Sequence, residues 1–490
     1  MANIEEPMLK NVYYRDCPGC RMDQLKETRR GIPYKEFTYV WVVTLCNALP
    51  MSTLFPYLYF MIRDVHIARR EEDIGYYAGF VGSSYMFGRA LTSVFWGIMA
   101  DKFGRKPIIM IGTASMVLFN TLFGLSTSFW MALSTRFLLG AMNPLLALMK
   151  AYATEVSREE HQALGLSLTS TSWGIGLIIG PALGGWLAQP AEKFPNIFPE
   201  GSLFWRFPYL LPCLCTSIFA AIVFISCFWL PETLHMHNVN CANKYGLHTP
   251  LKASPDCCTV KENIQDDSGI LLHSEQSLLR NWPLMSAIIA YCVFSLHDMA
   301  YTEIFSLWAV SPRKYGGLNY STNVLGEVLT LSGIGLFIFQ TFFYPVAEKS
   351  IGPILVSRLA AVLSILVLSS YPFIALLSGF SLFLSLNCAS MVKNVLSVSI
   401  ATGLFILQNN AVPQHQRGAA NGIAMAGMSL FNGFGPALGG MLFSLAEKRQ
   451  KVSFLPGVQL VFFALCVIEF VGLLMTFKPF LVEPGVKNTE

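Results

Sequence analysis

One long apolar run in this chain is interrupted by Tyr291, Cys292, His297, Asp298, Tyr301, Thr302 and Glu303. An imidazole set among carboxylates can bind and release a proton near neutral pH, because an unperturbed histidine titrates there. His297 stands 14 residues past Pro283, close to mid-membrane if the run is a spanning helix. Ionisable groups at that depth are expensive unless they face polar surroundings. His297, Asp298 and Glu303 are therefore the candidate proton carriers. Asp298 and Glu303 fall about 140° apart on a helical wheel, so they need not share a face. The plainer alternative makes His297 an interhelical hydrogen-bonding group and puts Glu303 outside the bilayer.

Two arginines are placed in the same way. Arg89 lies eight residues before Gly97, roughly 12 Å inside an apolar run. Arg136 opens Arg136-Phe137-Leu138-Leu139-Gly140, ahead of an Asn143-Pro144 interruption. Cations at such depth call for a cavity or an interhelical partner, with snorkelling toward the surface as the alternative for Arg89. Both are candidate counter-charges for a carboxylate, and Trp173, Tyr301 and Asn409 complete the expected substrate-binding set. Nearer the N-terminus, Asp16-Cys17-Pro18-Gly19-Cys20 can offer two thiolates to a soft metal, half of the roughly four ligands zinc takes, or can form a turn. With His235 and His237 of a later polar stretch, Cys17 and Cys20 are candidate ligands of a regulatory zinc; no other cofactor is expected.

Membrane-spanning helices must position these groups. Hydrophobic residues make up 53% of the 490 and charged ones 13%, with mean hydropathy +0.49, a balance foreign to a soluble enzyme. Apolar runs long enough to cross about 30 Å of hydrocarbon recur at 38–60, 76–99, 107–126, 129–150, 163–188, 208–230, 283–309, 323–346, 353–377, 381–408, 418–445 and 456–477. The expected fold is an all-α membrane protein of twelve spans in two six-helix bundles, 38–230 and 283–477, with tails at 1–37 and 478–490 and a linker at 231–282. Lys10, Arg15, Arg21, Lys26, Arg29, Arg30 and Lys35 precede the first span, which puts both tails and the linker in the cytoplasm. Arg63, Arg69, Arg70, Lys448 and Arg449 run against that rule. A net charge of +4 offers no argument for nucleic acid, and no P-loop, G-x-S-x-G or H-E-x-x-H points to an enzyme.

The chain also repeats itself. Gly180-Pro181-Ala182-Leu183-Gly184-Gly185 returns 255 residues later as Gly435-Pro436-Ala437-Leu438-Gly439-Gly440. Gly176, Gly180 and Gly184 make a stripe of small residues along which another helix can slide, and Pro181 adds a kink. The hinge Gly97-Ile98-Met99-Ala100-Asp101-Lys102-Phe103-Gly104-Arg105-Lys106-Pro107 is echoed by Ala347-Glu348-Lys349-Ser350-Ile351-Gly352-Pro353.

The hinge resembles the loop between helices 2 and 3 of the major facilitator superfamily. By that resemblance Gly97, Asp101, Gly104, Arg105 and Lys106 form a conformational gate: Asp101 meets the N-terminal end of a neighbouring helix, while Arg105 and Lys106 hold the cytoplasmic side shut in one state. Arg136-x-x-x-Gly140 resembles the superfamily's helix-4 motif, associated with proton coupling, and the run from Gly176 to Gly185 resembles the motif of its antiporters. Cys17-Pro18-Gly19-Cys20, Phe87 to Gly97, Pro231-Glu232-Thr233-Leu234-His235 and His297-Asp298-Met299-Ala300-Tyr301 together resemble the plant zinc-induced facilitator-like branch. The resemblance implies a monomer that exchanges protons for a metal-chelating amino-carboxylate, such as nicotianamine or a mugineic-acid phytosiderophore. Export into the vacuole or out of the cell would serve zinc and iron homeostasis. A multidrug antiporter on the same fold, and a membrane metal sensor or scaffold, are the competing readings.

Overall fold

The helices run as long as the apolar stretches and break where proline or glycine interrupts them. The computed structural model describes residues 17–28, 31–234, 278–412, 417–450, 452 and 455–481. The first half holds α1 (Pro18–Thr28), α2 (Tyr34–Ser52), α3 (Leu58–Asp64), α4 (Ile74–Phe103), α5 (Arg105–Gly124), α6 (Phe129–Ala141), α7 (Leu145–Val156), α8 (Glu159–Leu187), the four-residue turns α9 (Pro190–Lys193) and α10 (Leu203–Arg206), and α11 (Leu210–Ser226). The second holds α12 (Trp282–Val310), α13 (Thr322–Ile338), α14 (Tyr344–Ile351), α15 (Pro353–Ile374), α16 (Gly379–Asn410), α17 (Arg417–Lys448) and α18 (Val458–Met475).

Three of the twelve spans are composite. Span 1 is α2 plus α3, separated by a turn that contains Pro56. Span 4 is α6 plus α7: Pro144 has no N–H to give, and the Asn143 side chain accepts the amide of Leu145 at 3.2 Å instead. Span 8 is α13 plus α14, joined by a π turn at Phe339–Phe343. Eight spans are long and apolar enough to be recognised by length and composition alone, and 39–56% of each such window is buried inside the protein. The remaining surface, for example Leu91, Val94 and Ile98 of α4 or Leu366 and Phe373 of α15, is the lipid-facing side. The other four spans, α2–α3, α4, α8 and α17, carry the glycines, prolines and hydroxyls that dilute their hydropathy. Most of the expected linker, residues 235–277, lies outside the described residues, as do His235 and His237.

The two halves are built by the same pairings. Spans 1 and 5 pack as α2 on α8, and spans 7 and 11 as α12 on α17. Spans 2 and 4 pack as α4 on α6, and spans 8 and 10 as α13 on α16. Spans 3 and 6 pack as α5 on α11, and spans 9 and 12 as α15 on α18. Across the seam α4 lies on α17 and α13 on α8, the relation expected of halves joined by a pseudo-two-fold axis.

The halves meet most tightly at the end remote from α1. There one apolar core contains buried residues of both halves, including Tyr57, Ala78 and Phe123 of the first and Tyr301, Trp308 and Phe462 of the second. Toward the α1 end, the buried members of the remaining clusters belong to one half at a time. A side chain added at Gly97, Gly174 or Gly422 would meet nothing within 4 Å.

Single glycines join α4 to α5 and α14 to α15. Gly104 has φ 104°, ψ 162° and Gly352 has φ 79°, ψ 157°, a region open to glycine alone. The backbone of Gly352 has open space around it, whereas a Cβ on Gly104 would stand 2.5 Å from a carboxylate oxygen of Glu232. We expect Gly352→Ala to cost about 1–3 kcal/mol from backbone strain alone and Gly104→Ala to cost more, read as the order of apparent melting temperatures in detergent.

Candidate functional site

Close helix approach places Arg136. A Cβ on Gly88 of α4 would stand 2.8 Å from Ala141 N, and one on Gly140 of α6 would stand 2.9 Å from Tyr85 Cα, so the two helices touch backbone to backbone. Arg136 is 2% exposed. Its guanidinium lies 5.5 Å from the ring centre of Tyr85 and 5.1 Å from that of Phe123, and Nη1 donates to the Pro50 carbonyl at 3.1 Å. Its Nε has no hydrogen-bond partner. Beside it Asn143 donates to Asn47 at 2.7 Å and to the Tyr85 hydroxyl at 3.0 Å, which ties the break in span 4 to α2 and α4.

Glu303 faces this group from the other half. Its carboxylate is 1% exposed and neither oxygen has a hydrogen bond. It occupies space that Gly82 leaves: a Cβ there would lie 3.0 Å from Oε2 and 3.1 Å from Pro436 Cβ. Arg136 is the cation in electrostatic reach of it. Residues of α4, α6, α12 and α17 thus converge on one buried carboxylate at the seam. Arg89 is also buried and donates across the seam to Ser429 at 3.2 Å; Lys150 reaches Met425 Sδ at 3.7 Å.

A second charged group fills the interior of the second half. His297 Nδ1 lies 2.8 Å from Glu469 Oε2, each side chain 1% exposed. Lys393 is fully buried, donates to Ser397, and holds its ammonium 4.7 Å from the ring centre of Tyr301. The Tyr301 and Tyr371 hydroxyls are 2.6 Å apart. Lys393 and Glu469 stand out in the sequence as a lysine and a glutamate inside apolar runs, but the sequence alone assigns them no role. Asp298 and Trp173 are half-buried. Asn409 donates to Phe405 O in its own helix at 2.9 Å and lies 16 residues beyond Lys393 on α16, about 24 Å at helical rise; it does not join the central group.

At the α1 end the acid that meets a helix N-terminus is Glu232, where the motif resemblance led to an expectation of Asp101. The first amides of α5 need an acceptor, and the Glu232 carboxylate accepts those of Arg105 and Lys106 at 2.9 Å each. It also accepts the amides of Thr233 and Leu234 at 2.9 and 3.1 Å. Asp101, 71% exposed, pairs with Arg105 at 2.9 Å, and Arg105 is held equally by Glu155. These contacts stay within the first half. The amide of Gly19 donates to Leu234 O at 3.1 Å, so α1 docks here with Cys17 and Cys20 buried. Among the described residues no group of three or more His, Cys, Asp or Glu is arranged to hold a metal ion.

The opposite end is closed by the repeated glycines. In the first half Gly176, Gly180 and Gly184 pack on Ala48, Ser52 and Thr53 of span 1, while Gly185 meets Gly326 of span 8, its added Cβ 2.9 Å from Gly326 Cα. In the second half Gly435 and Gly439 pack on Met299 and Ala300 of span 7, while Gly440 meets Gly79 of span 2, again 2.9 Å from Cα. Pro181 O lies against Gly326 and Pro436 O against Gly79. Hydrogen bonds from Tyr76 N to Ser444 and from Ala437 N to Ser83, at 2.8 and 2.7 Å, cross the same seam. Two of the cations that defied the charge rule have acidic partners, Lys448 with Asp73 at 2.5 Å and Arg63 with Asp64 at 3.0 Å; at the same end Lys314 pairs with Glu71.

The family model described as Major Facilitator Superfamily matches residues 40–311. A probable peptide/nitrate transporter of Arabidopsis thaliana is 58% identical, covering 99% of this chain and 100% of that protein. Protein ZINC INDUCED FACILITATOR 1 of the same plant is 58% identical over 97% of this chain and 98% of its own length. Among solved structures, a D-xylose-proton symporter superposes with TM-score 0.67 at 14% identity, covering 92% of this chain and 98% of the other.

The contacts of Glu232 and Asp101 predict opposite outcomes. Glu232→Ala removes the acceptor of the first α5 amides and should cost about 1–2 kcal/mol, with faster amide exchange at Arg105 and Lys106. Asp101→Asn, at an exposed pair, should change stability by less than about 0.5 kcal/mol. Thermal melting with hydrogen-exchange mass spectrometry separates the two.

Proposed function

The chain belongs to the major facilitator superfamily and, within it, to the plant zinc-induced facilitators; on that premise we propose that this integral membrane transporter is a proton-coupled antiporter that exports a metal-chelating amino-carboxylate from the cytosol. Nicotianamine and the mugineic-acid phytosiderophores are the substrates of choice, and zinc and iron homeostasis the purpose. The observation that carries this reading is Glu303, buried at the seam without a hydrogen bond and within reach of Arg136 on the other half. A carboxylate in that position is kept either by a proton or by the cation opposite, because an uncompensated charge there costs several kcal/mol.

In this reading the α1 end faces the cytosol, so the described conformation is open inward and sealed outward by the glycine seam. A substrate arriving from the cytosol sets its carboxylate on Arg136 and its ammonium on Glu303, which gives its proton up to the cytosol; after the substrate leaves on the far side, Glu303 takes a proton there for the return. Rocking about the seam parts the outer contacts, closes the hinge side over the open surface at Gly97 and Gly422, and gives substrate and proton access to opposite waters in turn. His297 and Asp298 stand on the same helix as further proton carriers. The proton biases the equilibrium because the carboxylate it neutralises has different partners in the two states, as coupling requires. A chelator with both amino and carboxylate groups suits a site in which Arg136 and Glu303 face each other. The relatives' names support the link to zinc and to small nitrogenous or anionic solutes.

The test is counterflow and pH-gradient-driven uptake of labelled nicotianamine, deoxymugineic acid and zinc, separately and premixed, in proteoliposomes. Glu303→Gln should lose gradient-driven uptake by about tenfold or more while counterflow persists; Arg136→Gln should lose both. Gradient-driven transport that survives Asp298→Asn and Glu303→Gln together would remove the proton assignment.

A further inference from the structure

Spans 7, 10 and 12 bring three ionisable groups together inside the second half, away from the seam. His297 of α12 and Glu469 of α18 touch at 2.8 Å, both 1% exposed. Lys393 of α16 is fully buried and is a cation in electrostatic reach of Glu469. The imidazole sets Nδ1 against that carboxylate by proximity, and the buried Nε2, like both Glu469 oxygens, has no aligned hydrogen bond. We propose that Glu469 and Lys393 are positioning residues for proton coupling: Lys393 keeps Glu469 as the carboxylate, Glu469 holds the His297 Nδ1–H toward itself, and Nε2 is thereby left as the basic atom that takes up and returns a proton. The inference rests on the antiport reading and assigns it a proton-carrying atom distinct from Glu303.

Charge counting supports the assignment. With a neutral imidazole the lysine and the glutamate cancel, so the cluster is neutral and stable in a low-dielectric interior. Adding a proton at Nε2 makes these three groups together singly positive, a change the protein feels in a low-dielectric interior, with the half-buried Asp298 the remaining carboxylate that faces them. A histidine ring is oriented by the partner of its other nitrogen, and Glu469 is such a partner. The remaining titratable groups facing the cluster are Asp298 and Tyr301 on α12 itself, Tyr371 on α15 and Cys466 on α18. α17 packs on α12 at this level through Gly435 and Gly439 and brings no charge. Tyr301 and Tyr371 use their hydroxyls on each other, which leaves Glu469 as the acceptor facing Nδ1. The two hydroxyls also shape the Lys393 pocket, since the ammonium rests on the Tyr301 ring. A cation there gains from the ring quadrupole and needs no second carboxylate.

Histidine tautomers are directly visible by nitrogen NMR. The full-length transporter, labelled at histidine and reconstituted in nanodiscs, carries eight histidines; the signal lost in His297→Gln identifies the one in question. At alkaline pH the wild-type signal should be that of the Nδ1–H tautomer, and acidification should add a proton at Nε2. Glu469→Gln should lose the Nδ1–H signature. In proteoliposomes, Glu469→Gln and Lys393→Met should each lower nicotianamine counterflow about tenfold or more, whereas the double variant, which restores charge balance, should recover it without recovering pH-gradient-driven proton movement. An Nε2–H tautomer in a wild type that moves protons overturns the positioning assignment alone, and so does a Glu469→Gln protein with an unchanged tautomer. Absence of proton movement in wild-type vesicles overturns the antiport reading and the coupling role together, while the tautomer measurement still reports whether Glu469 orients His297.

Discussion

Backbone contact between helices is the interaction on which the rest depends. In a bilayer there is no hydrophobic gain from joining one apolar helix to another, so association relies on close packing. Here the approach is made by glycines that face each other: 79 with 440 and 185 with 326 across the seam, 88 with the helix that carries 140 within the first half. The repeated six-residue motif divides this labour in the same way both times. Two of its glycines hold a helix of the same half, and the last one reaches the other half. A seam built from such contacts has few long side chains to interdigitate, so two stable packings can be related by a rigid movement instead of by repacking.

Charge is the second constraint, and it is met differently in different places. Glu232 is surrounded by four amides at a water-facing end. Lys393 and Glu469 balance each other inside one half. Glu303 has neither solution: it looks across the seam to an arginine that belongs to the other half. An ion that is satisfied within one rigid body is indifferent to the motion of that body, whereas one whose partner sits on the moving side is sensitive to it. This is why the seam carboxylate, and not the better-paired one in the second half, is the natural reporter of which way the protein faces.

Much of this was readable from the chain alone. Eight of the spans follow from apolar length and composition alone, the two halves from the repeated Gly-Pro motif, and the single-glycine joints from the hinge and its fainter copy, because each of these is a local property. Glu303 was readable as a carboxylate in an apolar run, but its placement against Gly82 and Pro436 needed three helices. The His297, Lys393 and Glu469 group was not readable, since its members are far apart in the chain and each alone looks like an isolated polar residue. What was not readable at the hinge is Glu232: the acid that accepts the first α5 amides comes from a segment more than a hundred residues downstream, while Asp101 pairs with Arg105. Asn409 lies 16 residues beyond Lys393 on α16, a separation along the helix that residue type alone does not reveal.

The joint at Gly104 has a mechanical corollary. One residue between α4 and α5 spans at most about 7 Å of chain, so there is no slack with which either helix could move alone. Any tilt of α4 is passed directly to α5, and through the Glu232 grip to the strand of chain at 231–234 that leads toward the other half. The two helices and the segment at 231–234 are therefore geared to one another at this end of the first half.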